Sequence, residues 1–199
     1  MSVKLFGKLA AATLLAAGLA GCIDVNIDVA ITSPTTARAT MTQVMGADVY
    51  SMVKMSAESG ETQDDSFCAE GELTENADGS ATCIIVEEGV FAALDLGQDE
   101  GGMTFTEAGP GLVRVALPTA DMQAELGAED DMDEQTRQMV EAFFEGRTMT
   151  IGISGAEIVE SNMTISADKT RAEQVIGMLD LINGDAGLPD ELYALVRAP

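Results

Sequence analysis

The nine residues from Ile23 to Ile31 alternate apolar with polar or small side chains. A period of two marks a strand with one buried face, so the folded part of the chain opens on a β-strand. Thr32-Ser33-Pro34-Thr35 supplies turn residues, and Thr36 to Val44 reads as a second strand, making a hairpin. After Gly46 the period changes. Val49, Met52, Val53 and Met55 recur mostly at helical spacing, with Asp48 placed to cap, so a helix to about Ala57 is expected. Ser59 to Ser66 is polar and acidic, a loop. Leu73-Thr74 and Thr82 to Val86 then flank Asp78-Gly79, the signature of a tight hairpin. Val90 to Leu96 is apolar without a clear period, and Met103 to Glu107 and Leu112 to Leu117 read as strands around Ala108-Gly109-Pro110-Gly111. Thr119 to Leu126 suits a short helix. Asp133 to Glu145 suits a longer one that sets Met139, Val140, Phe143 and Phe144 on one face before Gly146 ends it. Thr148 to Ile153, Glu157 to Val159, Met163 to Ile165 and Ala172 to Ile176 are strand-like, and Leu192 to Val196 is a last strand or a short helix. Together these predict an α+β fold: a mostly antiparallel, curled sheet packed with two or three amphipathic helices.

The chain ahead of Ile23 has another character. Lys4 and Lys8 precede an apolar run of twelve, Leu9 to Ala20. That is a secretory signal by its charged start, short apolar stretch and small final residues. It is shorter than the ~20 residues that a membrane span needs. Leu19-Ala20-Gly21-Cys22 resembles a bacterial lipobox, in which the peptidase cuts before a cysteine whose thiol has taken a diacylglyceryl group. The alternative is an ordinary signal with a cysteine after the cut. The lipobox reading divides the chain into a signal peptide, 1–21, and one extracytoplasmic domain, 22–199, anchored through a lipid on Cys22. One acyl chain anchors weakly, at about 0.8 kcal/mol per buried CH₂, whereas two or three hold firmly. The residue after Cys22 is Ile23, and Asp24 comes one place later. By analogy with enterobacterial sorting, where Asp directly after the cysteine retains a lipoprotein at the inner membrane, the periplasmic face of the outer membrane is expected. No Ser- or Gly-rich tether separates Cys22 from the first strand, so the domain should sit close to the bilayer.

Composition narrows the partners. Removing 21 of the 199 residues leaves 178, enough for one domain with a core. They carry 34 acidic and 8 basic side chains. Such a surface excludes nucleic acid and is repelled by anionic headgroups, but it suits divalent cations or a basic protein. A hydrophobic fraction of 46% is too high for disorder. The chain has no His, which removes the usual nucleophilic triads and most zinc sites. With Cys22 assigned to lipid, Cys68 and Cys83 are expected to form a disulfide in an exported domain.

Several patterns compete as candidate chemistry. Ser51-Met52-Val53-Lys54 has the Ser-x-x-Lys spacing that activates a serine in penicillin-binding proteins and serine β-lactamases. No Ser-x-Asn follows, and Lys169-Thr170 continues with Arg171 rather than Gly, so the pair reads as surface residues of a helix. Glu129 to Glu134 is dense in carboxylates but lacks the glycine and distal Glu of a calcium loop; acids ahead of a helix complement its dipole. No metal site and no cofactor are expected. Asn162-Met163-Thr164 matches a glycosylation acceptor, which carries no meaning in a bacterial lipoprotein. The 12 methionines include a cluster, Met41, Met45, Met52 and Met55. Methionine adapts to varied apolar ligands as readily as it fills cores. With Phe143 and Phe144, these four form the candidate apolar pocket.

The end of the chain adds a resemblance. Thr148-Met149-Thr150-Ile151-Gly152-Ile153-Ser154-Gly155 precedes Glu157-Ile158-Val159-Glu160-Ser161-Asn162, and the chain closes on Leu192-Tyr193-Ala194-Leu195-Val196-Arg197-Ala198. With a lipobox cysteine running straight into a strand hairpin, this order resembles LppM-type lipoproteins, over roughly the first 35 residues after the signal and the last 50. Members often have a Trp in a late strand and a membrane helix after the domain; this chain has no Trp and stops at Pro199. The resemblance implies an α+β domain whose sheet curls around a helix, and lipid or lipoglycan binding at the envelope. It supplies no catalytic residues. The expected function is a non-catalytic, membrane-anchored envelope protein that binds a lipid or other amphiphile near the bilayer. The alternative is a structural or interaction lipoprotein whose acidic surface meets a protein partner or divalent cations.

Overall fold

Strand β1 (Ile23–Ser33) buries Ile23, Val25, Val29 and Ile31 and turns Asp24, Asn26, Asp28 and Ala30 to the other face. This is what strict alternation produces on a pleated strand. A computed structural model describes residues 23–59, 67–96, 102–120, 138, 141 and 143–199. The segment expected as a signal peptide, Cys22, the acidic run 129–134 and most of the segments expected as helices at 119–126 and 133–145 lie outside the described residues.

In chain order β1 is followed by β2 (Thr36–Met45), helix α1 (Ala47–Ser59), β3 (Glu72–Glu75), β4 (Ala81–Val90), a 3₁₀ turn at Phe91–Ala93, β5 (Thr104–Gly109) and β6 (Leu112–Pro118). Then come β7 (Thr148–Ser154), β8 (Glu157–Ser161), β9 (Thr164–Ile165), β10 (Arg171–Gly177), the short helix α2 (Met178–Ile182) and β11 (Glu191–Arg197). The strands form two sheets. One has seven strands in the order β3-β4-β2-β1-β7-β10-β9, and the other has four in the order β5-β6-β11-β8. β1 is thus the middle strand of the larger sheet. It pairs antiparallel with β2 and parallel with β7, where Val25 faces Met149.

The α+β expectation is corrected here. The described structure is mostly β, 54% strand against 16% helix, and of its two helices only α1 has seven residues or more. A single curled sheet with two or three amphipathic helices does not describe it. Nearly every strand was expected from its period. The period says which face of a strand is buried, however, and not which strand lies beside it. β6, β8 and β11 pair among themselves and with β5, making a second sheet that covers the first as helices were expected to.

The main core lies between the sheets. Val29 and Ile31 of β1, Ile151 and Ile153 of β7, Val113 and Val115 of β6, and Leu192 and Val196 of β11 are all buried in it, with Met178 and Leu181 of α2. The sheets are joined on one side by Ile158 N–H of β8 donating to Lys169 C=O ahead of β10 (2.6 Å), and on the other by the stacked rings of Phe91 and Phe105, 4.5 Å apart. A smaller cluster sits under α1, where Ile23, Val25, Met45, Val49, Tyr50 and Ala81 are buried together. The disulfide Cys68–Cys83 is present, with the Cα atoms 5.5 Å apart, and ties the chain ahead of β3 to β4.

Candidate functional site

The smaller cluster lies at the end of the sheet where the chain enters. Ile23 faces Met45, Met45 faces Ala81, and Ala81 faces Glu75, so these four residues stand on one rung across β1, β2, β4 and β3. α1 follows β2 directly and returns over that rung, held by Val49 and Tyr50. Asp48, expected as the cap, lies within the helix's first turn, where its charge complements the dipole. On its open side α1 leaves a cleft of about 310 Å³ against the β3–β4 turn, lined by Tyr50, Ser51, Lys54 and Met55 from the helix and by Glu75, Asn76 and Gly79 from the turn.

Both walls are fixed by local chemistry. Gly79 has φ +85°, which the Asp-Gly turn requires and other residues resist. Asp78 accepts from Ser80 N (3.0 Å) and Ser80 Oγ (2.6 Å), and these bonds hold its carboxyl below the usual carboxylate range. Asn76 Nδ2 donates to Ser80 Oγ (2.9 Å) and Thr82 Oγ1 (3.0 Å). On the helix wall Tyr50 meets Phe67 edge-on at 6.3 Å, and Phe67 precedes the disulfide-bonded Cys68. The disulfide therefore helps to place the tyrosine.

At the centre of the cleft two donors converge on one carboxylate oxygen. Tyr50 Oη donates to Glu75 Oε1 (2.9 Å), and Lys54 Nζ donates to the same oxygen (2.8 Å) while lying 5.4 Å from the Tyr50 ring centroid. Hydrogen bonds from Lys54 and then Tyr50 hold the Glu75 carboxyl below the usual range. Burial pushes the Tyr50 phenol up, and its bond to Glu75 adds to this. The Lys54 and Glu75 side chains remain about half exposed, at 48% and 56%, so both reach solvent from inside the cleft. Ser51 Oγ donates to Asp48 C=O (2.7 Å) and Lys54 is turned to Glu75, so the Ser-x-x-Lys spacing does not build a serine–lysine pair. What remains is a small amphipathic site holding one positive and one negative group.

The six residues expected to line one apolar pocket are distributed differently. Met45 is buried in the cluster under α1, with Met41 and Phe143 packed against it. Met52 and Met55 lie on the outer side of the helix, 47% and 62% exposed, and only Met55 reaches the cleft. Phe144 packs against the main core instead. Tyr50 and Glu75, which make the centre of the cleft, were not singled out in the sequence. The i, i+4 spacing of Tyr50 and Lys54 is the one local signal of the site, and nothing local links Lys54 to a carboxylate 21 residues away.

Elsewhere, the outer face of the seven-stranded sheet carries charges in pairs. Arg147 binds Asp24 (3.0 Å), and Arg171 binds both Asp28 and Glu173. Among the described residues no three His, Cys, Asp or Glu side chains converge on a metal position, and no helix is long and apolar enough to cross a membrane.

No protein-family model matches this chain, and no curated protein matches it. Among solved structures it is similar to the NMR structure of the folded domain of Mycobacterium tuberculosis LppM, with a TM-score of 0.46 and 11% identity over 89% of this chain and 91% of that one. A likeness at that score carries neither fold nor function across.

Proposed function

We propose that this chain is a lipid-anchored, non-catalytic binding protein of a bacterial cell envelope that takes a lipid or another amphiphile beside the bilayer. The observation that carries the reading is the position of Ile23. It is the residue after the lipobox cysteine, it is buried, and it is the first residue of the middle strand of the larger sheet. Consecutive Cα atoms are 3.8 Å apart, so acyl chains on Cys22 would be joined to the rigid body of the domain with no tether between. The cleft and the exposed methionines of α1 belong to that same end. The disulfide fits export, and Ile23 rather than Asp after the cysteine favours the periplasmic face of the outer membrane.

The test is native mass spectrometry of the protein purified from its host in mild detergent. Retention of lipid, or uptake of added lipid, at one-to-one stoichiometry supports the reading; protein that never carries or takes up lipid removes it.

One observation favours a second reading, an interaction lipoprotein with an acidic face. Five of the seven Lys and Arg side chains among the described residues lie in ion pairs with Asp or Glu, and most Asp and Glu side chains among those residues lie outside these pairs. Cross-linking in envelopes would then recover one dominant basic protein, lost as salt is raised. Recovery of nothing specific at low salt would end this reading.

A further inference from the structure

We infer that the cleft between α1 and the β3–β4 turn recognises a zwitterionic phospholipid headgroup of the phosphoethanolamine type, with Lys54 meeting the phosphate and Glu75 the ammonium. The inference rests on the amphiphile-binding reading above and names its ligand class.

Charge selects the class. The cleft presents one cation and one carboxylate, 2.8 Å apart and both half exposed. A headgroup carrying phosphate and primary ammonium exchanges that one internal pair for two intermolecular pairs and leaves no charge alone. An anionic headgroup satisfies Lys54 but sets its surplus charge against Glu75 and against a chain of net charge −24. A cationic amphiphile competes with Lys54 for Glu75 and brings no anion of its own. Choline fits less well than ethanolamine, because a quaternary ammonium offers Glu75 no N–H donor. It favours aromatic cages, and the one ring lining this cleft, Tyr50, already has Lys54 over it. Tyr50 also fixes the carboxylate from behind, so the pair is oriented before any ligand arrives.

Position makes the zwitterion a lipid. Glu75 shares the rung of Ile23, three strand spacings away, or roughly 14 Å at about 4.8 Å each. A domain held by acyl chains on Cys22 therefore carries the cleft beside the headgroup layer, itself about 5–7 Å deep on each side of the hydrocarbon. Met55 lines the cleft and Met52 lies one residue short of a turn away on the outside of α1, an adaptable apolar surface for the first methylenes of an acyl chain.

The full-length acylated protein in detergent would be titrated with dihexanoyl phosphatidylethanolamine, phosphatidylcholine and phosphatidylglycerol, and with free phosphoethanolamine, followed by native mass spectrometry. The expected order puts phosphatidylethanolamine about tenfold or more ahead of phosphatidylglycerol, with free phosphoethanolamine weaker than the lipid. Lys54→Met and Glu75→Gln should each weaken phosphatidylethanolamine about tenfold, and the exchange of Lys54→Glu with Glu75→Lys should recover much of it. Equal binding of phosphatidylglycerol, or wild-type affinity in both single variants, overturns the inference. In the second case lipid still binds and only the cleft is wrong; a protein that takes up none of the lipids loses the amphiphile reading as well.

Discussion

The guanidinium of Arg171 lies over Gly152 and, with the Asp28 carboxylate it binds, fills the space that a Cβ on that residue would occupy. Asp28 of the adjacent β1 and Glu173 hold it there. A side chain at position 152 would therefore displace the arginine and separate it from Asp28. Gly152→Ala should destabilise the fold by about 1 kcal/mol, an overpacking cost at the mild end because Arg171 can swing outward. In an Arg171→Ala background the same change should be neutral or stabilising by up to about 1 kcal/mol, since alanine suits a strand better than glycine. Urea unfolding of the four proteins checks this, and an unchanged cost in the Arg171→Ala background would reject it.

Ile23 is 3% exposed and packs with Met45, Val49 and Tyr50. Were residues 22–25 a tether, truncating Ile23 would be silent. As the first core residue of β1, Ile23→Ala should cost about 2–4 kcal/mol, read as a lower urea midpoint at unchanged slope.

The Cys68–Cys83 bridge spans 15 residues of separation, and a loop of that size stabilises by about 3 kcal/mol in the chain-entropy model. Reduction, or replacement of both cysteines by serine, should lower stability by about that much. Protein denatured without reductant should show no free thiol if Cys22 carries its lipid; two thiols would mean that the bridge is absent in the mature protein.

Tyr50 and Tyr193 are the two tyrosines of the chain. Burial and then the bond to Glu75 raise the Tyr50 phenol above its ordinary value of 10.0, and the bond to Glu160 is the chief cause of the same shift at Tyr193. A raised value in the folded state means stability that is fully present below the unfolded value of 10.0 and is lost as pH rises through the folded one. Tyrosinate absorbance should therefore appear above pH 10 for both. Glu75→Gln should bring Tyr50 down, though not fully, because burial remains; Lys54→Met should move it up, since the ammonium favours the phenolate. No movement in either variant would mean that the three groups do not meet.

How much of this was legible along the chain depends on distance in sequence. The alternation of Ile23 to Ile31, the Asp78-Gly79 turn and the helical spacing after Asp48 are local; they place β1 and α1 within about two residues of their ends and locate the β3–β4 hairpin, although β4 runs on to Val90, four residues past the expected Val86. α2 escaped notice because Met178–Ile182 is little more than one turn, too short to display a period. The parallel pairing of β1 with β7 joins residues more than 120 apart and leaves no trace in either segment. The same gap between local and distant information explains the site. The methionines were visible as a cluster in sequence, yet α1 turns Met52 and Met55 outward while β2 carries Met41 and Met45 inward. The Tyr50–Lys54–Glu75 centre exists only because the rung from Ile23 to Glu75 brings a helix and a turn together.

The central claim is that a lipid on Cys22 joins the bilayer directly to the middle strand of the sheet. Mass spectrometry of the N-terminal peptide from protein isolated from its native membranes tests it most directly. The account predicts a peptide that begins at Cys22 and carries a diacylglyceryl group, with residues 1–21 gone. A peptide that retains residues 1–21, or one that begins near Cys22 with an unmodified thiol, would contradict it.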